Sequence, residues 1–71
     1  MGDPTLENNF IYHKPFGNQN ERYESLRNLA KELAYVILEK TPKSREQSLA
    51  LTNLEQSVFW ANAAIARNEK E

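Results

Sequence analysis

The amino-acid sequence predicts an all-α fold: an antiparallel two-helix hairpin with an extended N-terminal arm, assembling into a homo-oligomer. Two repeated spacings and one mismatch predict it. Leu51, Leu54, Val58, Ala61 and Ile65 recur at steps of three and four, and Tyr23, Leu26, Ala30, Leu33 and Ile37 do the same. Such spacing marks one helix face packed on a partner helix. Thr41 and Pro42 interrupt the pattern, leaving about four residues between the helices, the loop length of a helical hairpin. The mismatch is that both helices carry apolar residues outside these seams, and two helices of about 20 residues enclose no core of their own.

Taken in order, residues 1–9 are polar, contain Pro4 and read as a flexible arm. Residues 10–68 read as the hairpin domain, with helices over about 19–40 and 44–67, and residues 69–71 as a charged tail in solvent. The domain opens with FIYHKPFG, in which Pro15 and Gly17 block a regular helix while Phe10, Ile11, Tyr12 and Phe16 are large and apolar. This segment either lies over the hairpin to cover apolar surface or forms an aromatic platform, with Tyr12 or Phe16 stacking on a base.

The first long helix starts after Asn18 or Asn20, both good caps, with Glu21 and Glu24 well placed against the helix dipole. Leu29, Val36 and Leu38 broaden its apolar face beyond a two-helix contact. The second begins with Ser44 as N-cap and Gln47 three positions on, the pattern of a capping box, and extends for about 35 Å. Leu49, Trp60 and Ala63 fall nearly opposite its seam, with Ala64 on another flank. A Trp on the back of a helix beside small residues suits contact with another copy of the chain, so Trp60, Leu49 and Ala64 are the expected oligomer interface.

Composition excludes several classes of function. With no Cys and the single His13, no disulfide and no zinc site of ordinary ligand type can be built, and no cofactor is expected. No apolar run approaches the roughly 18 residues of a membrane span, and the N-terminus lacks signal-peptide features, so a cytosolic protein without membrane attachment is expected. The net charge of −1 argues against binding polymeric nucleic acid, which calls for a continuous basic stripe. No nucleophile with a neighbouring base and no Gly-rich phosphate loop is present, so no enzyme is expected. Local cations remain: Arg22, Arg27, Lys31, Lys43 and Arg45 lie within about two dozen residues. Arg27 and Lys31, four apart, share a helix face beside the seam and could clamp a phosphate, or simply border the core with their heads in water. Arg45 could serve an anion with the free N–H groups of its helix start, or pair with Glu46 or Glu55 of a neighbour.

The patterns FxYHxPxxxQ, RYExLRxxAK and PxSREQSLALTxLExxxxWANAAIARN run from Phe10 through Asn68. In them the chain resembles the small phage proteins of the anti-CBASS and anti-Thoeris sponge type, which share a helical-hairpin domain. The resemblance implies a homo-oligomer, typically a hexamer, acting in the cytoplasm of the infected bacterial host. It would sequester cyclic dinucleotides such as cGAMP, and in some members cyclic trinucleotides, without cleaving them, keeping CBASS effectors switched off. The same resemblance assigns a dinucleotide site between protomers to Tyr12 and Lys31, with His13 and Arg27 beside them. A second pocket would draw on Arg45, Thr52 and Arg67. The competing class is a non-enzymatic phage hairpin with an interaction or structural role, which has no use for paired cations beside an aromatic arm.

Overall fold

A computed structural model of the chain describes residues 2–70. Among them are three helices and no strand: α1 (Pro4–Phe10), α2 (Gln19–Lys40) and α3 (Arg45–Asn68), with α2 and α3 packed as a hairpin.

Helix α1 falls in the stretch for which the sequence suggested only a flexible arm. Its cause is local: the Asp3 carboxylate accepts from the backbone N–H groups of Thr5 at 2.8 Å and Leu6 at 3.3 Å. Pro4 then occupies the first turn, where its missing N–H costs nothing. The chain leaves α1 extended at Ile11 and turns into α2 through Gly17, whose φ of +56° is the left-handed conformation that glycine adopts most readily.

Asn18 is the N-cap residue of α2 but makes no side-chain cap bond; its Oδ1 accepts from Arg22 Nε at 3.0 Å instead. At the start of α3 the expected capping box is one-sided. Ser44 Oγ accepts from the Gln47 N–H at 3.1 Å, whereas the Gln47 amide turns outward from the helix and donates to the carbonyl and hydroxyl of Thr41 at 3.0 and 3.1 Å. Gln47 thereby ties the interhelical turn to α3, which is why this polar side chain is buried.

The α3 seam of Leu51, Leu54, Val58, Ala61 and Ile65 is half-buried along its length. On α2 the contact departs from the expected set, because Leu33 is 48% exposed while Ala34 is half-buried. Positions 33 and 34 lie about 50° to either side of the middle of the face formed by Tyr23, Leu26, Ala30 and Ile37, so a small rotation of the helix decides which of them meets the partner.

No apolar side chain among the described residues is fully buried. The reason is dimensional: the molecule measures 50 × 27 × 13 Å, and its thinnest dimension is about one helix diameter. Its radius of gyration of 15.5 Å compares with about 11 Å for a compact chain of this length. A single layer of helices leaves large apolar residues uncovered on both of its broad faces, Trp60 at 68% exposure among them.

The start of α2 and the end of α3 are tied together by charge. Arg22 grips the Glu69 carboxylate with two hydrogen bonds, Nη1 to Oε2 at 2.7 Å and Nη2 to Oε1 at 2.5 Å. Gln19, 3% exposed, donates to Glu69 Oε1 at 3.0 Å and accepts from the Phe16 N–H at 3.1 Å. Glu69 is therefore docked where a solvated tail was expected, and Arg22 is engaged within the fold; Glu71 lies outside the described residues. The Arg22 hydrogen bonds, then that of Gln19, hold the Glu69 carboxyl down at about 2, against an ordinary 4.5. A depressed acid stabilises the folded state above its unfolded value, and that contribution is lost as pH falls through the folded value. We expect Glu69→Gln to lower the thermal midpoint at pH 7 but to match the unmodified protein near pH 2, as followed by circular dichroism. An offset that is the same at both pH values would show that the ion pair contributes nothing.

Candidate functional site

Arg27 and Lys31 are exposed on consecutive turns of α2. Both line an open groove of about 610 Å³ between α2 and α3, with Ala30, Ala34 and Leu38 on one wall and Leu51, Leu54, Val58 and Phe59 on the other. Glu55 is the acidic residue of that lining, so the groove carries a net positive charge. Its dimensions fall in the range of small-molecule sites.

A second groove, of about 690 Å³, opens toward the start of α2 and the end of α3. Its lining is more polar: Asn9, His13, Asn20, Tyr23, Glu24, Arg27, Asn62 and Arg67, with Ala63 and Ala66. Arg27 and Asn62 belong to both grooves and mark where they meet. The one ion pair among the described residues is Arg22–Glu69, so Arg27, Lys31 and Arg67 keep their charges available to an anion.

The arm is tied to this end of the hairpin. His13 Nε2 donates to the Asn8 carbonyl at 2.8 Å, and Asn8 Nδ2 donates to the Arg67 carbonyl at 3.1 Å. His13 is thus half-buried and oriented, with its ring at the groove that also holds Arg27 and Arg67. Tyr12, its neighbour, is 83% exposed and lines neither groove.

The chain groups the candidate residues differently from the sequence. Arg27 joins Lys31 in one groove and His13 with Arg67 in the other, whereas Tyr12 stands apart from Lys31. Arg45 and Thr52 are exposed on the early turns of α3, and Arg45 lies about 33 Å of helix from Arg67. Those three cannot meet one small ligand within a single chain. Of the expected interface residues, Trp60, Leu49 and Ala64 are all exposed on α3, available for contact with another copy.

Several groove residues were not singled out from the sequence, Phe59 and Asn62 among them. Phe59 is 71% exposed beside the cations, and Asn62 lies one turn further on. Each directly follows a seam residue, Val58 and Ala61, which puts it about 100° round the helix from the seam. That offset was available to find them, but it gives no indication of which flank faces Arg27.

Among the described residues, no group of three or more His, Asp or Glu is placed to hold a metal ion, and no helix is long and apolar enough to cross a membrane. No curated protein sequence and no solved structure matches the chain at a significant level. A family model does match, described as the Acb2/Tad1 hairpin domain, and it covers residues 2–66. That span takes in α1, α2 and all but the last two residues of α3, the elements that build both grooves. With its helical hairpin and a match along nearly its whole length, the chain belongs to the Acb2/Tad1 hairpin-domain family.

Proposed function

We propose that the protein is a phage immune-evasion sponge, which binds cyclic dinucleotide second messengers and holds them without cleaving them, so that CBASS effectors stay inactive in the cytoplasm of the infected host. The observation that carries the reading is the pair of unpaired cations, Arg27 and Lys31, over an open groove in a chain of the Acb2/Tad1 family. Cations four apart on a helix suit the phosphates of a compact ring, while the net charge of −1 does not suit a nucleic-acid polymer.

On this reading the working unit is a homo-oligomer, a hexamer by family resemblance. Tyr12 is projected into solvent at 83% exposure, where it is free to reach the groove of a neighbouring copy. Arg45 and Thr52 of one copy could likewise approach Arg67 of another, forming a separate pocket for a cyclic trinucleotide. The exposed Phe59 and Trp60 favour a second reading, a phage hairpin that acts only by protein–protein contact.

A thermal-shift panel separates the two. A cyclic dinucleotide present at about a hundred times its Kd stabilises the folded state by about 2.7 kcal/mol. For a domain of this size that raises the midpoint by roughly 10–20 °C. Linear dinucleotide and duplex DNA are expected to leave it unchanged, and chromatography after heating should recover the cyclic compound intact. No cyclic-specific shift across the panel, or recovery of the linear product, would overturn the proposal.

A further inference from the structure

We infer that Asn8 and His13 are positioning residues for Tyr12: they close residues 8–13 into a loop fastened to the end of α3, which presents the Tyr12 ring in a fixed place to a cyclic dinucleotide held by a neighbouring copy. The inference rests on the proposed function, and within it His13 acts through Tyr12 and not on the ligand itself.

Two bonds make the fastening. His13 Nε2 donates to the Asn8 carbonyl at 2.8 Å, five residues back, and Asn8 Nδ2 donates to the Arg67 carbonyl at 3.1 Å. Both acceptors lie in the last turn of a helix, Asn8 in α1 and Arg67 in α3, where the helix supplies no donor of its own. The far end of the segment is held as well. Gln19 Oε1 accepts from the Phe16 N–H at 3.1 Å, and Gln19 Nε2 donates to Glu69 Oε1 at 3.0 Å. Residues 8–16 are thus a strap joined to Arg67 at one end and, through Gln19, to Glu69 at the other.

Apolar burial does not hold the middle of this strap. Phe10, Ile11 and Tyr12 are exposed, whereas Asn8 and His13 are half-buried. Polar bonds therefore fix the loop while its large apolar side chains stand in solvent. His13 and Tyr12 are neighbours that point opposite ways, His13 to the groove of its own chain and Tyr12 outward. Holding the His13 ring sets the direction of Tyr12. A ring held in this way meets a ligand without the ordering of a free arm, the cost that preorganisation removes.

A double-mutant cycle tests the assignment, because a residue that acts through Tyr12 has no effect once Tyr12 is gone. Asn8→Asp keeps the side-chain size but turns a carboxylate oxygen toward the Arg67 carbonyl in place of the donor, and His13→Ala removes the other bond. Each is made alone and together with Tyr12→Ala, and its assembly state is checked by sedimentation. Calorimetric titration then uses whichever of cyclic di-AMP, cyclic di-GMP and cGAMP stabilises the unmodified protein most. Each single variant is expected to keep the assembly state and to bind about tenfold more weakly, the order of effect of freeing one backbone residue. Beside Tyr12→Ala, each is expected to change affinity by less than about twofold. A loss from either residue that persists beside Tyr12→Ala would put that residue on the ligand itself. Affinity within about twofold of the unmodified protein in both single variants, or in Tyr12→Ala, would leave the loop with nothing to position. A changed assembly state in both single variants would make the loop part of the contact between copies. Any of these results overturns the inference while the proposed function stands. Absence of binding of all three compounds to the unmodified protein would overturn both.

Discussion

Trp60→Asp is expected to break the protein into monomers and largely unfold it. The chain is one layer of helices thick, no apolar side chain among the described residues is fully buried, and Trp60 stands 68% exposed on α3 with Leu49 on the same face. In the proposed homo-oligomer the missing burial comes from other copies of the chain. Large aromatics at the centre of such contacts are worth at least about 2 kcal/mol each. Leaving a carboxylate unpaired at a contact that excludes water costs about 3 kcal/mol or more. Their sum of about 5 kcal/mol is comparable with the whole stability of a small domain. The expected readout is a shift to the monomer mass in sedimentation, accompanied by loss of helical circular dichroism. Trp60→Ala, which introduces no charge, should weaken assembly with less unfolding. A folded monomer of the unmodified protein at micromolar concentration would contradict the account.

The hairpin could be read from the sequence because its signals are local and periodic. The three-and-four spacing of Leu51 through Ile65 marks a helix face whatever lies opposite, and Ser44 with Pro42 marks where that helix can begin. Helix α1 carried an equally local signal, Asp3 followed by Pro4, hidden beneath a polar composition that resembles a loose arm. Contacts between distant parts of the chain were another matter. Nothing in the spacing of Arg22 and Glu69, 47 positions apart, announces a bidentate ion pair. The displacement of Leu33 by Ala34 depends on the rotation of one helix against the other, which periodicity constrains only to within about half a residue.

The site was readable in part for the same reason. Arg27 and Lys31 are neighbours on one helix, so their shared groove follows from an interval of four. The proximity of Arg27 to His13 and Arg67 required the arm, α2 and the end of α3 to be brought together by Asn8 and His13. Asn62 carries no sequence signal of its own, because what distinguishes it is an oxygen buried without a donor, a property of packing alone.

The second large effect is expected at Tyr12 and Lys31. Neither takes part in the α2–α3 seam, and both side chains are exposed, so truncating them should leave the fold and the assembly intact. Stacking on an aromatic ring is worth about 1–3 kcal/mol per base. A hydrogen bond to a charged group is worth about 1.5–3 kcal/mol. If a site between protomers presents each residue twice to one ring, either loss reaches about 3 kcal/mol, or about a hundredfold in affinity. A Tyr12 that only covers the hairpin would instead cost stability on removal, and a Lys31 that is only solvated surface would cost nothing. Calorimetric titration of Lys31→Ala with a cyclic dinucleotide, at an oligomeric state matched to the unmodified protein, decides most directly whether the grooved hairpin is a sponge for these messengers: affinity at least about a hundredfold weaker is the predicted result, and unchanged affinity would contradict it.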